Sequence, residues 1–140
     1  MPGSILKYRK KLSGPLLDRI DLHVHVPPVD EAKLTSYGNN ETSLSIQNRV
    51  IQARERQQKR FYPSQSKVNS FMSIVDIKTF CKFEDKATDL LKQAIAKLSL
   101  SARSYFKIIK IAQTIADLNG KEMILVSHVA EALQYRPQEE

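Results

Sequence analysis

One cysteine in 140 residues, Cys81, excludes an internal disulfide and any site built from several thiolates. There is no G-x-x-x-x-G-K-[ST] run, no G-x-G-x-x-G and no H-E-x-x-H, so neither nucleotide loop nor zinc-protease helix is encoded here. No stretch of about 18 apolar residues occurs, which excludes a membrane-spanning helix. The residues after Met1 form no apolar core of a secretory signal, and with a single thiol this points to a reducing, cytoplasmic compartment. Tryptophan is missing, yet 41% apolar residues suffice for a modest core, and 26% charged residues are ordinary for a globular chain. The length suits one compact domain, or one small domain with a tail.

Acidic residues are the scarcer sign. Twenty-two Lys and Arg stand against fifteen Asp and Glu, a net charge of +7. That surplus favours nucleic acid, nucleotide phosphates or acidic protein faces without choosing among them. It is unevenly placed. Arg49, Arg54, Arg56, Lys59, Arg60 and Lys67 face only Glu55 across residues 49–67, whereas residues 1–30 are only mildly basic.

Residues 22–26 alternate Leu22, Val24 and Val26 with His23 and His25, the pattern of a short half-buried strand closed by Pro27-Pro28. A lone strand cannot satisfy its backbone, so it is expected to be the edge of a sheet whose other strands lie upstream, or else disordered. A linker with Gly38, Asn39 and Asn40 follows. From Ser43 the pattern is helical. A helix over 44–61 carries a thin stripe of Ile46, Val50, Ala53 and Gln57, which predicts a half-exposed helix or one packed on something outside the chain. Ser73 and Asp76 form a capping-box pair for a short helix ending near Cys81. Ala87, Leu90, Leu91, Ala94, Ile95 and Leu98 define an amphipathic helix. Ser101 caps the next, which runs through Ile108, Ile109, Ala112, Ile115 and Ala116 to an Asn119-Gly120 stop and is expected to be central. Ser127 is expected to cap a last helix ending before Pro137.

Several chemistry-bearing residues have plain explanations. His23 and His25 share a strand face, but nothing nearby completes a metal site, so no metal is expected. Cys81 sits in an apolar context as an inert thiol. Asn40-Glu41-Thr42 is an idle glycosylation sequon, and Asn119-Gly120-Lys121 is a helix stop rather than a phosphate loop. Arg103 is less easily dismissed. It lies two residues after the Ser101 cap, where a cation opposes the helix dipole and where a polyphosphate would be welcome.

Leu16-Leu17-Asp18-Arg19-Ile20-Asp21, with Tyr8 and Leu12-Ser13-Gly14-Pro15 ahead of it, resembles a signature of magnesium-chelatase-like AAA+ ATPases of the ComM/YifB type. Leu100-Ser101-Ala102-Arg103-Ser104-Tyr105, continuing to Ile115-Ala116-Asp117-Leu118, is similar to a second signature of that family. Arg49-Val50 with the run from Ala53 to Gln57, and the close from His128 to Arg136, match further in the same order. Lys110 and Gln113 depart from it, each standing where an Arg is usual, which weakens any phosphate or DNA role there.

The resemblance implies a mainly α fold, the AAA+ C-terminal helical lid preceded by a severed segment of the nucleotide-binding core that includes one strand. It implies a core tail over 1–30, a linker over 31–42 and the lid over 43–137. Arg19 takes the place of the arginine finger, acting in trans on a neighbouring subunit's nucleotide; Arg103 takes that of sensor 2, on its own subunit's phosphates. ATP and Mg²⁺ would be held mostly by upstream residues, so the fragment alone should be inactive. The implied partners are neighbouring subunits of a homo-oligomeric ring, a hexamer by analogy, and the implied work is DNA remodelling of the branch-migration kind. Two alternatives remain: a subunit inserting Mg²⁺ into protoporphyrin, or a basic nucleic-acid-binding helical module using Arg49, Arg54, Arg56, Lys59 and Arg60. A pure partner-docking bundle is a third.

Overall fold

The structure, a computed structural model, describes residues 14–17, 19–29, 41–64 and 68–137. One helical turn, α1 (Gly14–Leu17), precedes α2 (Ser43–Phe61), a 3-10 turn (Asn69–Phe71), α3 (Ile74–Phe80), α4 (Asp85–Leu98), α5 (Ala102–Leu118) and α6 (Val126–Gln134). The fold is mainly α, with no sheet among the described residues. A parallel bridge between Phe83 and Ile124 ties the two loops that lead into α4 and α6.

Most helix boundaries follow local chemistry. Ser73 accepts from the Asp76 backbone while Asp76 Oδ2 accepts from the Ser73 backbone at 2.7 Å, completing the expected capping box of α3. Ser101 Oγ accepts from Ser104 N–H at 3.1 Å and starts α5. Gly120, at φ +69°, closes it in the left-handed region. A Cβ at that position would lie 3.1 Å from an Arg56 guanidinium nitrogen, so glycine suits both backbone and neighbour.

The start of α6 differs from expectation. Its cap is Leu125, not Ser127, because the buried ring of His128 reaches back and its Nδ1 accepts Leu125 N–H at 3.1 Å. An Nδ1 that accepts must be unprotonated. Burial accordingly holds the His128 pKa below its ordinary 6.5, with Glu131 pulling the other way and Lys121 adding to the fall. The unfolded chain therefore binds the proton more readily, and the stability His128 gives is whole above pH 6.5 and is lost as pH falls through the lower folded value. His128→Gln keeps an acceptor at that helix position without a titrating ring. Thermal melting of this chain from pH 7 to pH 5 should show a falling midpoint that flattens in the variant; parallel curves would contradict the assignment.

The core forms around α5, which packs against α2, α3, α6 and the 3-10 turn, while α4 packs on α6. Ile108, Ile109, Ala112 and Ile115 of α5 meet Phe61, Met72, Ile77, Leu91, Ile124 and Val129. Phe61 and Phe80 meet edge to face at 5.5 Å between centroids. Cys81 is buried in this cluster beside Met72. Burial pushes its thiol up to about 11, against a lowering by Arg60 and together with a raising by Asp117, so it is inert as expected.

Two expectations about exposure are answered. Ala53, Gln57 and Phe61 of α2 are buried, but the same stripe continues into Ile46 and Val50, which are 43% and 44% exposed. Among the described residues the expected strand over 22–26 forms no ladder, and Leu22, Val24 and Val26 are exposed rather than half-buried. Its described backbone contact to the bundle is His23 N–H donating to Tyr135 O at 2.9 Å. The linker residues 31–40 and Asp18 lie outside the described residues.

Candidate nucleotide-facing site

Along one face of α5, Arg103, Lys107 and Lys110 follow at helical spacings of four and three. Beside them opens a cleft of about 670 Å³, whose lining includes Phe106, Ile111, Thr114, Glu131 and Tyr135 together with Asp21, Leu22 and Ser70. The wall is thus apolar and aromatic with a cationic margin. Tyr135 donates to Glu131 Oε1 at 3.1 Å, and that hydrogen bond holds its phenol pKa above the usual value.

The three cations are differently committed. Lys107 Nζ donates to Ile20 O at 3.0 Å and lies 3.7 Å from Asp21 Oδ1. Lys110 Nζ donates to Ser70 O at 3.0 Å, a use that accounts for a lysine there without any ligand. Arg103 is exposed and makes no hydrogen bond or ion pair with the described residues. It is the cation left available at the α5 N-terminus, where the helix dipole also favours an anion.

Arg19 sits in the turn after α1, with its backbone N–H donating to Leu16 O at 3.0 Å. Its side chain is exposed and has no partner among the described residues. Asp21, two residues on, is beside Lys107. Arg19 does not line the cleft, but its neighbours Asp21 and Leu22 do.

The basic run on α2 divides. Arg60 forks onto Asp117, Nη1 donating to Oδ2 at 2.8 Å and Nη2 to Oδ1, with Asp117 wholly buried. Arg56 donates to Asp117 O at 3.3 Å, placing a cation on the C-terminal carbonyls of α5. Arg49 pairs with Glu41 at 3.1 Å. Arg54 and Lys59 are exposed. Five expected phosphate contacts therefore shrink to three exposed cations. If this chain binds duplex DNA through that face, log K against log salt should have a slope no steeper than about −3; a slope near −5 would mean that Arg56 and Arg60 leave their partners.

Sequence reasoning missed the polar knot around Asp117. Asn69 Nδ2 donates to Asp117 Oδ2 at 2.8 Å and Gln113 Nε2 to Oδ1 at 3.3 Å. The signal was a carboxylate one turn beyond buried Gln113 on the apolar side of α5. Gln113, like Lys110, thereby has a structural use. His23 is half-buried, with Nε2 3.3 Å from Leu17 O, while His25 is exposed, and no cluster of three metal-ligating side chains occurs among the described residues.

Comparison with known proteins matches residues 40–136 to the family described as magnesium chelatase, subunit ChlI C-terminal, and residues 1–34 to magnesium chelatase, subunit ChlI. Competence protein ComM of Haemophilus influenzae is 40% identical over 136 residues, 96% of this chain and 26% of that protein. The uncharacterized protein YifB of Escherichia coli is 37% identical over the same shares, and that of Salmonella typhimurium 34%. The chain thus spans about a quarter of the length of the curated relatives it matches. No described helix is long and apolar enough to cross a membrane. With a ChlI C-terminal match covering the whole helical bundle, the chain belongs to the magnesium chelatase ChlI C-terminal family.

Proposed function

We propose that this chain is the lid end of an AAA+ ATPase ring, joined through residues 1–30 to a nucleotide-binding core that lies upstream. The observation that carries this reading is that, of the exposed cations, which include Arg54 and Lys59, the two at the family's arginine-finger and sensor-2 positions are left uncommitted. Lys107, Lys110, Arg56 and Arg60 are tied to protein groups, while Arg103 and Arg19 are exposed without described partners. A planar, permanently charged fork held out to solvent suits a phosphate that arrives from elsewhere.

Arg103 and Arg19 fit the phosphates of ATP, while Mg²⁺ would be held by the upstream core. Arg103, at the mouth of a cleft walled by Phe106 and Tyr135, would bind phosphate oxygens at the α5 N-terminus. Arg19, in a turn whose following residues 20–23 are fastened to the bundle, would reach across to a neighbouring subunit's nucleotide. Bound ATP–Mg²⁺ supplies the γ-phosphoryl group to be transferred. This chain's part is to orient that group and offset the charge that develops on it.

The ring's work on this reading is DNA remodelling of the branch-migration type, supported by the likeness to a competence protein. The family's description favours a second reading, Mg²⁺ insertion into protoporphyrin. DNA-stimulated rather than porphyrin-stimulated ATP turnover decides between them. The ATPase assignment itself is tested by Arg19→Ala and Arg103→Ala in the protein carrying its upstream core. Both should lose turnover; wild-type rates in both would overturn it.

A further inference from the structure

We propose that Lys107 is a positioning residue that holds the Arg19 turn on α5 and so links the two exposed arginines mechanically. This rests on the Arg19 reading above and adds to it how the finger is kept in place and what moves it.

The turn that presents Arg19 is closed locally by Arg19 N–H to Leu16 O at 3.0 Å and Ile20 N–H to Leu17 O at 3.1 Å. Two short bonds shape a turn but do not aim it. Aim comes from outside. Lys107 Nζ takes the carbonyl of Ile20, the residue next to Arg19, and sits 3.7 Å from the Asp21 carboxylate. Two residues further on, His23 N–H is held by Tyr135 O at 2.9 Å at the end of α6. Residues 20–23 are thereby fastened to two helices of the bundle, while the Arg19 side chain stays exposed.

Electrostatics supports a deliberate tether. Lys107 is one turn from Arg103 and three residues from Lys110, so its own face of α5 repels it. Its side chain is nevertheless only 16% exposed, laid against residues 20 and 21. The Ile20 carbonyl and the Asp21 carboxylate help offset that repulsion. Because Arg103 and Lys107 are one turn apart on one rigid helix, any shift of α5 when phosphate engages Arg103 carries the Arg19 turn with it.

The test uses Lys107→Met in the protein carrying its upstream core. Displacing a charged finger by about 1 Å costs on the order of 10²-fold, so kcat should fall at least about 10-fold with KM for ATP within about twofold. Asp21→Asn, at an exposed position that carries no folding risk, should move kcat in the same direction by less. Mixed one to one with subunits lacking the phosphate-loop lysine, Lys107→Met subunits should recover to about a quarter of the wild-type rate, since about one interface in four then has an intact site and an intact neighbour. An unchanged kcat, or no recovery on mixing when Arg19→Ala does recover, would overturn the Lys107 proposal alone. Wild-type turnover in Arg19→Ala would overturn it together with the reading on which it rests.

Discussion

Arg19→Ala is expected to lower ATP turnover of the assembled protein by about 10³-fold or more, the scale at which an arginine finger acts. The expectation follows from what the structure leaves undone. Arg19 is exposed, has no described partner, and is followed by a backbone that Lys107 of α5 holds at Ile20 and Tyr135, just after α6, holds at His23. A guanidinium with a structural duty would look like Arg60, buried and forked onto a carboxylate. Substitution of Arg19 should therefore cost little stability, and the melting midpoint of this chain should be unchanged within a degree or two. Loss of turnover without loss of fold is the signature to look for. ATP hydrolysis and thermal melting measured on the same variant supply it.

Asp117→Ala should do the reverse. Its carboxylate, with no exposed surface, accepts from Arg60, Asn69 and Gln113. Removing it leaves a nearly buried guanidinium without its counter-charge, takes the acceptor from Gln113 Nε2, and leaves Asn69 Nδ2 with Thr114 Oγ1 alone. Breaking a buried pair from one side costs about 3–5 kcal/mol, a large share of the about 5–15 kcal/mol that holds a domain together. The second change, Arg60→Met, should cost much less in the Asp117→Ala background than alone, because the stranded charge is then gone. Urea unfolding of the four chains measures both terms. A loss below about 1 kcal/mol for Asp117→Ala would mean that water reaches Arg60 and the knot is not a buried one.

The contrast between these residues explains what was legible in the sequence. Helices α3, α4 and α5 follow from short-range signals: Ser73 with Asp76, Ser101, and an apolar period that repeats every three to four residues. The thin stripe of α2 correctly foretold a half-covered helix, since Ile46 and Val50 continue it past the bundle's edge. Charge was harder. Arg54, Arg56, Lys59 and Arg60 are alike as letters, and only packing separates them. Arg60 follows buried Gln57 by three residues and Ala53 by seven, at the margin of the buried stripe. Its partner lies 57 residues away, a distance over which single-sequence patterns are silent. The Leu125 start of α6 was hidden for a different reason, because histidine is not a usual residue for reaching back to a cap.

The same limits apply to the site. Arg103 announces itself by standing against a helix dipole, and Arg19 by its motif, but neither position shows Lys107. Residues 20 and 107 are joined by a contact across 87 positions. A lysine in mid-helix, flanked by Arg103 and Lys110, has no local pattern that distinguishes a tether from a solvated charge.

The central claim is that Arg19 serves a nucleotide held by the neighbouring subunit, and mixing of inactive subunits tests it most directly. Arg19→Ala subunits keep an intact site of their own; subunits lacking the phosphate-loop lysine keep an intact Arg19. Combined one to one, they should regain about a quarter of the wild-type ATP turnover, because about one interface in four brings the two intact halves together. Turnover that stays at the level of the separate variants would contradict an arginine acting across the interface.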